Sequence, residues 1–173
     1  MDTMQALLTR ASVKKYKSDQ VPKELIDQII VAGLRAPSGL NKQAPIILAV
    51  TNKEVRDELS RLNAGKDPFF RADPFYNAPC VLVVLADKSV PTHVYDGSLV
   101  MENLLLAAHA LGLGACWIHR AKETFELPEG KALLAKLGVE GEYEGIGNCI
   151  IGYPEGELPT IKPIKENRVY YVE

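Results

Sequence analysis

The hydrophobic positions of this chain fall into helical stripes separated by short, uninterrupted apolar runs. Met4, Leu7 and Leu8 lie on one face of a predicted helix over Met4–Arg10, with Asp2 or Thr3 available as its cap. Pro22 opens a second helix. Leu25, Ile26, Ile29, Ile30 and Leu34 form its apolar face, and Pro37 stops it at Ala36. The pattern then predicts a short strand over Ile46–Thr51, a surface helix over Lys53–Leu62 and a strand buried on both faces over Val81–Ala86. A long helix follows over Thr92–Leu111. It is apolar nearly all round from Leu99 onward, so it belongs at the centre of the protein or at a large interface. Gly112 caps it, Gly114–Ile118 reads as a strand, Phe125–Leu137 as a helix closed by Gly138, and Glu144–Gly152 as a further strand. Arg168–Val172 reads as a last strand, after a Pro-rich and charged stretch over Pro154–Glu166. Helices alternating with short strands place the chain in the α/β or α+β class, with helices packed on a sheet.

Two polar stretches interrupt this pattern. Ala36–Pro45 packs Pro, Ser, Gly and Asn into a loop, and Gly65–Asn77 combines Asp-Pro pairs with Phe69, Phe70, Phe75 and Tyr76. Aromatic residues in such a loop are expected to anchor against a ligand, a partner or a neighbouring subunit.

Composition narrows the reading. The 173 residues fit one domain spanning 1–173, and 47% hydrophobic with 24% charged residues is ordinary for a soluble globular protein. A net charge of −2 gives no basic field for nucleic acid, and no apolar run approaches the length that spans a membrane. Cys80, Cys116 and Cys149 sit among strand-forming residues and read as reduced core thiols of a cytoplasmic protein. His93, His109 and His119 lack metal-ligand spacing, so no metal site is expected. Gly112-Leu113-Gly114 closes a helix and opens a strand, the reverse of the dinucleotide-binding order.

The chemistry therefore rests on polar groups that bind. If Arg10-Ala11-Ser12-Val13-Lys14 runs extended, Arg10, Ser12 and Lys14 share a face and offer a guanidinium fork, a hydroxyl and an ammonium to a phosphate. Ser38, Gly39, Asn41 and Gln43 in the first loop, Asn63 near the second, and backbone groups after Gly114 suit a flat heteroaromatic ring. Together they describe a phosphorylated, ring-bearing cofactor, although Ser38 or Asn41 taken alone is more readily explained as a turn residue.

Taken in order, the motifs resemble those of the FMN-dependent nitroreductase family. They are Arg10-x-Ser12-x-Lys14, Ala36-Pro37-Ser38-Gly39-x-Asn41-x-Gln43, Asn77-Ala78-Pro79, Ala110–Ile118 and Ile151-Gly152-Tyr153-Pro154. The resemblance implies an α+β fold with a mixed central sheet flanked by helices. It also implies an intertwined homodimer whose C-terminal strand is exchanged onto the partner, with FMN at the subunit interface. By that likeness Arg10, Ser12 and Lys14 hold the phosphate and ribityl chain, helped by Lys165 and Arg168. Pro37, Ser38, Gly39 and Asn41 come from the other subunit, Asn63 meets the polar edge of the ring, and Trp117-Ile118-His119 passes the flavin with a backbone N–H as donor. The chain departs from many members in having Gln43-Ala44-Pro45 where they have Gln-Pro-Trp, and in being shorter.

The expected activity is oxidation of NAD(P)H and reduction of small, flat, electron-poor acceptors such as nitroaromatics and quinones, by ping-pong turnover. The flavin carries the chemistry, so no catalytic side chain is expected. Phe69 and Phe70 are expected to line the acceptor side. A flavin protein of this fold with another redox or flavin-handling role, and a dimeric binding module without enzymatic activity, stand as alternatives.

Overall fold

The computed structural model describes residues 1–65 and 73–173. In chain order it contains α1 (Thr3–Thr9), α2 (Lys23–Leu34), β1 (Pro45–Val50), α3 (Lys53–Ala64), β2 (Cys80–Asp87), α4 (His93–Ala110), β3 (Gly114–Ile118), α5 (Ala121–Glu126), α6 (Pro128–Lys136) and β4 (Tyr143–Gly152). A single 3-10 turn at Gly39–Asn41 precedes β1.

The strands form one sheet in the order β1-β2-β4-β3, and each neighbouring pair is antiparallel. The parallel component of the expected mixed sheet is a single bridge between Ser12 and Ala115, on the outer edge of β3. Val81 to Ala86 are fully buried. Their side chains alternate between two cores, as strand geometry requires. Leu82 and Val84 pack with Ile29, Met101, Leu104 and Cys149 under α2 and α4. Val81, Val83 and Leu85 pack with Leu59, Phe75, Phe125 and Ile150 under α3, α5 and α6. The uninterrupted apolar run of β2 thus reflects burial on both faces. Cys80, Cys116 and Cys149 are buried and unbridged, and burial pushes the Cys80 thiol up to about 12.

Two expectations need correction. Phe125–Leu137 is not one helix: Leu127 is extended (ψ 151) ahead of Pro128, so α5 ends and α6 begins there. Phe75 is not an exposed loop aromatic but a fully buried core residue.

The long helix meets its expectation on one side. Val100, Met101, Leu104 and Ala108 face the sheet, whereas Tyr95 and Leu99 are 73% and 44% exposed. Met4, Leu7 and Leu8 of α1 are exposed too, and so are Val169 to Val172 at the C-terminus. The 168–172 segment, expected as a strand, joins no ladder among the described residues.

Candidate functional site

The open edge of β3 organises the site. Val13 N–H donates to Ala115 O (3.0 Å), which lays residues 12–13 beside the strand. Gly114 makes this approach possible, because a Cβ there would sit 2.8 Å from Val13 Cγ1. Val13 is buried, while Ser12 and Lys14 point outward, the alternation anticipated for an extended segment. Tyr16 closes the segment by donating its hydroxyl to Val13 O (2.6 Å). Burial, aided by Cys116 and Cys149, holds that phenol well above its ordinary pKa, so it remains a donor. Tyr16 also bridges Pro154, and Glu155 N–H donates to Lys15 O (3.0 Å), so the chain after β4 runs back along the Arg10 segment.

Two cavities meet this segment at Ser12. The larger, about 850 Å³, is lined by Arg10, Ser12, Lys14, Lys15 and Lys162, together with Glu155 and Glu157. The smaller, about 330 Å³, is lined by Ser12, Lys14, Asn63, Pro74, Tyr76, Trp117, Ile118, His119 and Arg120. Ser12 and Lys14 line both cavities.

Backbone direction supplies the donor. Ala115 turns its peptide groups away from β4 toward Val13, and strand alternation repeats that direction at Trp117. The Trp117 N–H therefore faces the smaller cavity. Its indole lies instead on the sheet, where a Cβ at Gly147 would be 2.7 Å from Nε1.

Arg10 follows α1 and is half-buried. Beside it, Thr9 Oγ1 donates to Gln5 O (2.6 Å), so it accepts from His109 Nε2 (2.9 Å). Burial and the nearby Arg10 cation lower the His109 pKa, leaving the guanidinium as the charge at this corner at neutral pH.

Asn63 is 3% exposed, and its Nδ2 donates to His119 O (2.8 Å). Its amide therefore secures the turn after β3 as well as lining the cavity. Arg120 completes the same joint through Nη1 to Ala64 O (3.2 Å), from a left-handed backbone (φ 73) that a non-glycine residue rarely adopts. Gly65, at φ 60, leaves room for that side chain.

Pro37, Ser38, Gly39 and Asn41 line neither cavity in this chain. They form a turn fixed by Gly39 N–H to Asp96 Oδ1 (3.0 Å) and Gln43 N–H to Ser38 Oγ (3.0 Å), and Asp96 is nearly fully buried. Lys165 and Arg168 are exposed and also line neither cavity. Phe69 and Phe70 lie outside the described residues. The sequence names Tyr76 among the loop aromatics expected to anchor against a ligand, but it does not single out Arg120 or Asp96. Both of these depend on partners distant in the chain.

The nitroreductase family profile matches residues 7–68 and 61–153. The chain belongs to the nitroreductase family. A nitroreductase from Bacteroides fragilis, solved with bound FMN, superposes with a TM-score of 0.89 and 28% identity over 100% of both chains. A Vibrio harveyi NADPH-flavin oxidoreductase is 28% identical over 180 residues, covering 94% of this chain and 69% of that protein. A Methanothermobacter thermautotrophicus protein with the provisional name NADH dehydrogenase/NAD(P)H nitroreductase is 32% identical over 142 residues, covering 75% and 71%. No described helix of this family member is long and apolar enough to cross a membrane.

Behind the smaller cavity, Asp73 anchors the segment that carries Tyr76. Burial pushes the Asp73 pKa up, but hydrogen bonds from Arg56, Ser60 and the N–H groups of Asn77 and Phe75 outweigh it and leave it below the ordinary carboxylate value. A carboxyl depressed on folding stabilises the fold fully above its unfolded pKa, about 3.9, and loses that contribution as pH falls through the folded value. Thermal melts should therefore show a midpoint falling steadily below about pH 4. Asp73→Asn should be less stable at pH 7 by about 2 kcal/mol and decline less steeply in acid. Parallel acid slopes for the two proteins would remove Asp73 from the account.

Proposed function

We propose that this protein is an FMN-dependent NAD(P)H oxidoreductase acting on small, flat, electron-poor acceptors, nitroaromatics and quinones among them. The observation that carries the reading is the sharing of Ser12 and Lys14 between a cationic groove and a ring-sized chamber. A ligand with a phosphate at one end and a flat ring at the other fits that shape. Both volumes fall in the usual range for small-molecule sites, roughly 300–1,000 Å³.

In this reading Arg10, Ser12 and Lys14 hold the phosphate and ribityl chain. The Trp117 N–H and the neighbouring Ile118 and His119 backbone meet the ring, with Asn63 keeping that turn in place. Bound FMN would supply the redox chemistry, taking hydride from NAD(P)H and passing electrons to the acceptor. The chain's own part is to bind and orient the cofactor, to place an N–H donor at the ring, and to set Lys14 where positive charge favours an electron-rich ring.

A second copy completes the site. The Pro37–Asn41 turn reaches neither cavity of its own chain, while the exposed faces of α1 and α4 and the apolar 169–172 segment lack partners among the described residues. A homodimer that exchanges the C-terminal strand accounts for both. It brings Pro37, Ser38, Gly39 and Asn41 to the ring, and Lys165 and Arg168 to the phosphate, across the interface.

A visible spectrum of the purified protein followed by anaerobic titration with NADH and NADPH tests the cofactor and the reductant together. The expected result is a flavin absorption band that bleaches on addition of reduced nicotinamide and returns with menadione. A colourless protein that gains no flavin band after incubation with FMN would overturn the proposal.

A further inference from the structure

Arg56 occupies an unusual place for a cation. It lies at the end of the first turn of α3, 6% exposed, and spreads its guanidinium over three acceptors. Nε donates to Ala78 O (3.1 Å), Nη1 to Asp57 Oδ1 (3.1 Å) and Nη2 to Asp73 Oδ2. Asp73 in turn accepts from Ser60 Oγ, Phe75 N–H (2.9 Å) and Asn77 N–H (2.6 Å). The network encloses a turn in which Tyr76 (φ 52) and Asn77 (φ 57) are consecutive left-handed residues with side chains. Each costs on the order of 1–2 kcal/mol, so the turn persists because its surroundings dictate it. Its outcome is the position of the Tyr76 ring, 5.5 Å from Lys14 Nζ and on the wall of the smaller cavity.

A buried cation adds little net stability to a fold, since desolvation offsets most of its attraction to a partner. Holding one geometry is a better account of its retention here. We propose that Arg56 is a positioning residue: acting through Asp73, it holds the strained Tyr76–Asn77 turn so that Tyr76 walls the ring chamber above Lys14. The proposal rests on the flavin reading of that chamber. Arg56 touches neither cavity at Ser12 or Trp117, so its influence on a ligand there passes through Tyr76.

A double-mutant cycle tests this. Arg56→Lys keeps the charge and loses the fork, and Tyr76→Ala removes the wall. Each should weaken FMN binding on the order of tenfold, and the double variant should bind no more weakly than Tyr76→Ala alone. A second readout needs no flavin. In the apo protein, hydrogen exchange at the Phe75 and Asn77 amides should quicken in Arg56→Lys and stay slow in Tyr76→Ala. If Arg56→Lys does not fold, Arg56→Gln, which keeps an amide donor without the charge, takes its place in both arms. Additive losses of affinity, or unchanged amide exchange in Arg56→Lys, would overturn the proposal. If the parent protein takes up no FMN, the flavin reading fails on that result, and amide exchange alone decides whether Arg56 holds the turn.

Discussion

Arg10→Ala should separate FMN from riboflavin. The two ligands share the ring and ribityl chain and differ by the phosphate, so a residue that grips only the phosphate affects only one of them. A charge-assisted hydrogen bond contributes about 1.5–3 kcal/mol, so FMN affinity should fall roughly ten- to hundredfold while riboflavin affinity is unchanged. The location supports that selectivity: Arg10 lines the larger groove and not the ring chamber, whereas Ser12 and Lys14 line both. Burial still lowers the His109 pKa once Arg10 is gone, so the imidazole does not replace the lost charge at pH 7. Equilibrium titration followed by flavin fluorescence measures both affinities, and sedimentation gives the oligomeric state, which should be unchanged. An equal loss for riboflavin and FMN would move Arg10 from the phosphate to the ring or to the fold.

That Ser12 and Lys14 share an outward face could be read in the sequence, because of the period of two along a strand. Only an extended Arg10–Lys14 places three polar side chains on one side, and Val13 between them is apolar because it faces the core. β2 was equally legible, since burial on both faces leaves no polar position to confuse the pattern. What the sequence hid was contact between remote positions. Asn63 reads as a ring contact, and its Nδ2 also donates to His119 O, 56 residues away, a partner that nothing local to Asn63 encodes. The same holds for Gly39 and Asp96, and for the Arg56–Asp73 pair behind Tyr76. Phe75 and Tyr76 are adjacent aromatics with opposite fates, one in the core and one on the cavity wall, because the left-handed turn between Tyr76 and Asn77 reverses the chain there. Composition marks such a stretch as a loop but not which of its aromatics the core takes.

Gly145→Ala should cost more than any change at an exposed glycine, for a reason of space and not of backbone angle. A Cβ at Gly145 would lie 2.3 Å from both the carbonyl carbon and the oxygen of Ala121, and 2.7 Å from Lys122 N. These are backbone atoms in the first turn of α5, so no side-chain rotation relieves the overlap and the helix must move. Overpacking of this kind costs about 3 kcal/mol, which for a chain of this length lowers the melting midpoint by roughly 10 °C. The displaced residues begin directly after Arg120, whose guanidinium meets Ala64 O, and His119, whose carbonyl accepts from Asn63. FMN binding should therefore weaken together with stability, even though Gly145 lines neither cavity. Gly138→Ala supplies the contrast. Gly138 follows α6 at φ 72 with nothing within 4 Å of a new Cβ, so alanine meets only the left-handed backbone cost of about 1 kcal/mol. Its melting midpoint should drop by a few degrees and its FMN affinity should equal that of the parent. Were Gly145→Ala to melt like Gly138→Ala and bind FMN normally, the turn after β3 would not depend on how closely α5 sits on β4.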